Sequence, residues 1–122
     1  MKAVLDTNIL VDYLGGVEAS REELRRYRSP MISRITWMEV LVGVEPGTTE
    51  SATVRAFLAG FRVVEMDEAV AEEAVRLRRE RRFRLPDAVI LACAHTEDCI
   101  LVTRNTHDFD TSWPEVRAPY KL

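Results

Sequence analysis

The sequence predicts an α/β protein with a mostly parallel sheet flanked by helices. Three observations lead there. Short apolar runs (Ala3-Val4-Leu5, Met31-Ile32-Ser33, Arg62-Val63-Val64 and Cys99 to Val102) recur along the chain. Segments with helical start and stop signals separate them. Acidic residues sit at the ends of these elements, where parallel sheets place their ligands.

Ala3-Val4-Leu5 reads as a short buried strand, followed by a helix that starts at Asp6–Asn8 and stops at Gly15-Gly16. Ser20 with Glu23 has capping-box spacing and predicts a second helix through about Tyr27. Pro30 introduces the strand Met31-Ile32-Ser33. Thr36 with Glu39 repeats the capping-box spacing and predicts a helix through about Val44, ended by Pro46-Gly47. A helix from about Thr49 to Leu58 stops at Gly60, and Arg62-Val63-Val64 is the next strand. Asp67 caps a long helix with the apolar stripe Val70, Ala74 and Leu77. Pro86 suits the first residue of a helix running to about Thr96, apolar on nearly every face and therefore central. Cys99 to Val102 is a buried strand, and Val116 begins a last edge strand.

A chain of 122 residues fits one domain, expected to span 1–122. Its 47% hydrophobic and 30% charged residues describe a globular chain rather than a disordered one. The longest apolar stretch, Ala88 to Ala94, is far short of the ~18–20 residues needed to span a bilayer, and the N-terminus lacks a signal-peptide pattern. The expected compartment is the cytoplasm, with no membrane partner. Seventeen basic residues against twenty acidic ones give a net charge of −3, which rules out bulk attraction to nucleic acid. The basic charge is uneven, however, with six arginines between Arg76 and Arg84. Two cysteines, Cys93 and Cys99, cannot form a disulfide scaffold or a zinc finger.

Asp6 directly follows the first strand, and Asn105 and Asp108 follow the Ile100–Val102 strand. Asp87 opens the most apolar helix, and Glu39 is expected in the first turn of another. A buried carboxylate needs a partner, yet neither 35–44 nor 86–94 contains a basic residue. A bound cation would supply the missing charge. An all-oxygen cluster suits a hard ion, Mg²⁺ or Mn²⁺. Each acid also has a purely structural role open to it. Asp6 can cap a helix, Glu39 can close its capping box, Asp87 can favour a helix N-terminus, and Asn105 and Asp108 can be turn residues.

Asp6-Thr7-Asn8, Glu39 in a Thr-x-x-Glu helix start, Leu85-Pro86-Asp87-Ala88, and Thr103-Arg104-Asn105 with Asp108-Phe109 together resemble the PIN-domain ribonucleases. More narrowly, they resemble the VapC toxins of type II toxin–antitoxin pairs. The likeness runs from Lys2 to about Tyr120. It implies a PIN-like three-layer fold and a Mg²⁺- or Mn²⁺-dependent endoribonuclease. Asp6, Glu39 and Asp87 match family acids directly. Many relatives carry an acid at the position of Asn105, so either Asn105 or Asp108 reaches the metal. A metal held by these acids would polarise a phosphodiester oxygen and activate water, leaving a 5′-phosphate and a 3′-hydroxyl. Thr7, Asn8, Thr103 and Asn105 are expected to aim the carboxylates. Arg82, Arg84 and Arg104 are the candidate RNA contacts. The resemblance further implies a VapB-like antitoxin partner and a homodimer.

Other features have simpler readings. Cys93 is a core residue, and His95 and His107 are too few and scattered for a zinc site. Trp37 and Met38 flank Glu39 as core residues or as part of an interface. A haloacid-dehalogenase-like phosphatase would need an acid where Asn8 stands, and a phosphoreceiver domain needs a lysine after its last strand. The remaining alternative is a non-catalytic PIN-like binding module.

Overall fold

A computed structural model describes residues 2–122. Five strands, β1 (Ala3–Leu5), β2 (Met31–Ser33), β3 (Arg62–Val64), β4 (Ile100–Val102) and β5 (Val116–Arg117), form one sheet in the order β3-β2-β1-β4-β5. Every neighbouring pair is parallel, with Val4 opposite Met31 on one side and Leu101 on the other. Six helices, α1 (Thr7–Leu14), α2 (Glu18–Leu24), α3 (Arg34–Val42), α4 (Thr49–Leu58), α5 (Glu68–Arg81) and α6 (Leu85–Thr96), connect and cover it. This is the expected α/β layering.

Strand alternation divides the core in two. Val4, Met31, Val64, Leu101 and Val116 face α5 and α6. Ala3, Leu5, Ile32 and Val102 face the other way and meet Ile9 and Leu10 of α1, Val40 of α3, and Val54 and Leu58 of α4. α6 is wedged between the sheet and α5, and all seven residues from Ala88 to Ala94 are buried. Truncating Leu91, which is fully buried, to alanine would cost about 2–5 kcal/mol. α5 ends on Arg82, whose left-handed backbone (φ 60°) turns the chain so that Phe83 packs against Phe109 and Trp113.

The two expected capping boxes do not form. α2 starts earlier, at Glu18, and Ser20 lies inside it with its hydroxyl donating back to the Val17 carbonyl at 2.6 Å. α3 is capped by Ser33, whose Oγ accepts from the Thr36 backbone N–H at 3.0 Å. Thr36 is therefore inside the helix, and Glu39 lies one turn beyond the first. The cap falls on Ser33 because that residue ends β2 in extended backbone, with its hydroxyl turned onto the helix N-terminus. No described helix is long and apolar enough to cross a membrane.

Candidate active site

β1 and β4 are neighbours, but the chain leaves β1 toward β2 on one side and leaves β4 toward β5 on the other. The crossovers diverge, opening a crevice at the carboxyl ends of these two strands. Asp6 lies there, tied to β4 by its N–H, which donates to the Val102 carbonyl at 2.9 Å. It occupies the N-cap position of α1, but its carboxylate does little capping. Oδ1 accepts from the adjacent Thr7 N–H at 2.8 Å. Oδ2 accepts from the Thr103 hydroxyl at 2.7 Å and from Asn8 Nδ2 at 3.2 Å. Asp6 and Thr103 are both buried. Burial pushes the Asp6 carboxyl above its usual range, against those hydrogen bonds, and the Glu39 charge adds to the rise.

Glu39 reaches toward α1 rather than its own helix N-terminus: its Oε1 accepts from Thr7 Oγ1 at 2.6 Å. Thr7 Oγ1 also lies 3.0 Å from Thr36 Oγ1, which is fully buried. The Thr7 hydroxyl, backed by that of Thr36, thus holds an otherwise exposed carboxylate at the mouth of the crevice.

Asp87 comes from the opposite side, in the first turn of α6. It makes no capping bond, and its Oδ2 is buried without a hydrogen-bond partner. Among the described residues the nearby cation is Arg84, which holds its Nε 3.8 Å away with the side chain mostly in solvent. Burial, followed by the charges of Asp6 and Asp108, raises the Asp87 carboxyl to about 6; Glu39 adds to the rise, and Arg84 opposes it.

Asn105 and Asp108 divide their roles. The Asn105 side chain is spent on Asp108: Nδ2 donates to Asp108 Oδ2 at 2.9 Å and Oδ1 accepts from the Asp108 N–H at 3.2 Å. The Asn105 N–H in turn donates to Thr103 Oγ1 at 2.9 Å. Thr103 therefore links Asp6 to the loop bearing Asn105 and Asp108. Asn8 completes the link, with Nδ2 3.4 Å from Thr103 Oγ1 and Oδ1 accepting from the Arg104 N–H at 3.0 Å.

Asp6, Glu39, Asp87 and Asp108 thus approach one crevice, with the Glu39 charge bearing on Asp6 and the charges of Asp6, Asp108 and Glu39 bearing on Asp87. Among the described residues, no three His, Cys, Asp or Glu side chains are already gathered onto one point as a metal ion requires. The donor set nevertheless fits a hard cation. It is all oxygen, it sets four acids around one crevice with a solvent-facing arginine, and the buried Asp87 Oδ2 has no hydrogen-bond partner among the described residues.

The three arginines expected at RNA differ in their freedom. Arg82 and Arg84 are exposed beside α6. Arg104 is committed: its Nε and Nη2 donate to Asp12 at 2.7 and 2.9 Å in a two-pronged pair. Much of the remaining arginine run is also occupied within the protein. Arg76 pairs with Glu73 and Glu80, Arg78 donates to the Phe83 carbonyl, and Arg81 pairs with Glu115 over the Trp113 ring. Trp37 is half-buried against the core beneath Arg34, and Met38 is exposed. Cys93 is fully buried, as expected.

Sequence reasoning missed two buried carboxylates. Asp12 on α1 takes Arg104 and the Tyr120 hydroxyl (2.7 Å), and Glu23 on α2 takes Arg117 (2.8 and 3.0 Å) and the Tyr27 hydroxyl (2.6 Å). A signal for Asp12 was available: it lies three residues after Ile9, on the helix face that enters the core.

The PIN-domain family model matches residues 3–111, and the chain belongs to this family, whose members are generally nucleases. Among solved structures, the chain is similar to one in a toxin–antitoxin complex from Klebsiella pneumoniae. The two are 39% identical, with a TM-score of 0.91, over 98% of this chain and 99% of that one. It is also similar to a chain of DNA-bound VapBC from Salmonella typhimurium, at 25% identity and TM-score 0.80 over 96% of each chain. A chain of VapBC2 from Rickettsia felis, bound to a promoter DNA fragment, shares the fold at 21% identity and TM-score 0.78, over 95% of this chain and 96% of that one. Comparison with curated protein sequences returned no match.

Proposed function

We propose that this protein is a divalent-metal-dependent endoribonuclease, working as a single nuclease domain and as the toxin of a VapBC-type pair. The observation that carries this reading is the buried, unpartnered Asp87 Oδ2 facing the fields of Asp6, Asp108 and Glu39. Such a group calls for a cation, and Asp6, Asp87, Glu39 and Asp108 would hold Mg²⁺ or Mn²⁺. Bound there, the ion would supply Lewis-acid stabilisation of the phosphoryl oxygens and lower the pKa of water.

The protein's own groups do the rest. Thr103, Asn8 and the Thr7 N–H fix the orientation of Asp6. Thr7 aims Glu39, whose second oxygen is free to orient an attacking water from the solvent side. Asn105 braces Asp108, which favours Asp108 as the fourth acid with Asn105 as its support. Arg82 and Arg84, exposed at the entrance to α6, contact RNA phosphates.

The toxin role rests on the likeness to toxin–antitoxin complexes. An apolar shoulder formed by Ile35, Met38, Val42 and Pro86 adjoins Glu39, and Val42 is 85% exposed. A VapB-like antitoxin would cover such a surface and direct a basic side chain at the acids. A homodimer in the cytoplasm completes the reading.

The test is cleavage of a defined RNA in Mg²⁺, with product ends identified. Asp6→Asn is expected to lower the rate at least ~100-fold, and EDTA to stop the wild type. Full activity of Asp6→Asn, or cleavage undiminished in EDTA, would refute the assignment.

A further inference from the structure

We propose that Asp12, which is not among the four acids, is a positioning residue for the loop bearing Asp108. This inference rests on the nuclease reading above and extends its machinery to a side chain two turns along α1. Asp12 is 6% exposed, an expensive place for a charge without partners. Its oxygens are fully used: Oδ1 accepts from Arg104 Nη2, while Oδ2 accepts from Arg104 Nε and from the Tyr120 hydroxyl. Burial works against its charged form, but the guanidinium and the phenol outweigh it and hold the carboxyl below its usual range.

Arg104 stands between Thr103, which donates to Asp6, and Asn105, which braces Asp108. Its backbone N–H is held by Asn8 and its guanidinium by Asp12, so both ends of the residue are anchored to α1. α1 therefore carries Asp6 at its N-cap and, through the Asp12–Arg104 pair, also fixes the segment that delivers the fourth acid. Tyr120 joins the chain's last segment to the same carboxylate.

Glu23 supplies an internal comparison. It is equally buried, at 5%, and is likewise held by an arginine fork and a tyrosine hydroxyl. Its arginine, Arg117, lies on β5 rather than in the loop. The two clusters match in chemistry and differ in what they hold.

The experiment compares Asp12→Asn, Arg104→Met, Tyr120→Phe and Glu23→Gln with wild type. It measures amide exchange over residues 103–109 without metal, and Mn²⁺ binding by calorimetry. Asp12→Asn and Arg104→Met are expected to speed exchange in the loop at least ~10-fold and to weaken Mn²⁺ by ~10–100-fold, the usual effect of losing a ligand's support. The double variant should be no worse than either single one, because the pair acts as a unit. Tyr120→Phe, the mildest change, should shift both readouts a few-fold if Asp12→Asn fails to fold. Glu23→Gln should lower the melting temperature while leaving loop exchange and Mn²⁺ binding at wild-type values. Unchanged loop exchange in Asp12→Asn, or an equal response in Glu23→Gln, would overturn the proposal. If the wild type binds no Mn²⁺, the metal reading fails, and the exchange data alone decide whether Asp12 positions the loop.

Discussion

Replacing Asp87 with asparagine removes a charge from the crevice and keeps the shape of the side chain. The Asp87 carboxyl is held at about 6 in the folded protein, against 3.8 for an ordinary one. That gap of roughly two pH decades means folding disfavours ionised Asp87 by about 3 kcal/mol. The side chain is 15% exposed, so solvent screens little of this. The new amide places a buried NH₂ where Oδ2 had no partner, which takes back about 1–2 kcal/mol. A net gain of ~1–2 kcal/mol remains, or roughly 3–10 °C in melting temperature for a chain of this size.

The pH dependence fixes the sign. A folded pKa above the unfolded one means the native state holds the extra proton. This group's contribution is therefore fully favourable below about 3.8, declines as pH rises toward 6, and is flat beyond. Asp87→Asn lacks that decline, so its advantage should open between pH 4 and 6 and persist at pH 7.5. The assay is thermal melting in EDTA across this range, repeated with millimolar Mg²⁺. Saturating ion should raise the wild type by about 2.7 kcal/mol at a hundred times its dissociation constant, and the variant far less. If metal-free Asp87→Asn melts well below wild type at pH 7.5, the carboxylate is supporting the fold as a helix-terminal charge. Crowding of like charges in the crevice is then refuted.

The sheet was legible because its signals are local. Three-residue apolar runs and the stops at Gly15-Gly16, Pro46-Gly47 and Gly60 mark the elements without reference to anything distant. The positions of the acids followed from the elements, since Asp6 and Asp108 come after strands that parallel pairing brings side by side. Helix starts were less legible, because Ser33, Thr36 and Ser20 all have hydroxyls suited to capping. Which of them acts depends on where the preceding strand ends. The Asp12–Arg104 and Glu23–Arg117 pairs span more than ninety residues of sequence. No pattern within a helix names such a partner. Arg104 therefore read as a free cation beside the site, while folding had already assigned it to a buried carboxylate.

Glu23→Gln should destabilise the fold by about 1–2 kcal/mol at neutral pH, because it weakens the charge-assisted fork to Arg117, whose 37% exposed side chain lets solvent screen part of the loss. Burial opposes the Glu23 charge, but Arg117 and Tyr27 prevail and lower its pKa. The wild-type advantage should therefore be present above about 4.5 and shrink as pH falls through the folded value; a pH-independent difference in melting would contradict this. Expressed alone, the wild type should arrest growth, with relief by a co-expressed antitoxin; equal arrest by Asp87→Asn would separate toxicity from the acids. Thr103→Val removes the hydroxyl that donates to Asp6 Oδ2 and accepts from the Asn105 N–H, with almost no change of shape. That hydroxyl favours the ionised form of Asp6 against the burial that disfavours it, so its loss drives the Asp6 carboxyl higher still. Because the proposed chemistry needs Asp6 ionised, the acid limb of the pH–rate profile should move to higher pH. Activity should fall most at acidic pH and recover as pH rises. A loss of rate that is the same at every pH would mean that Thr103 acts through packing or through the Asn105 loop alone, and not on the charge of Asp6.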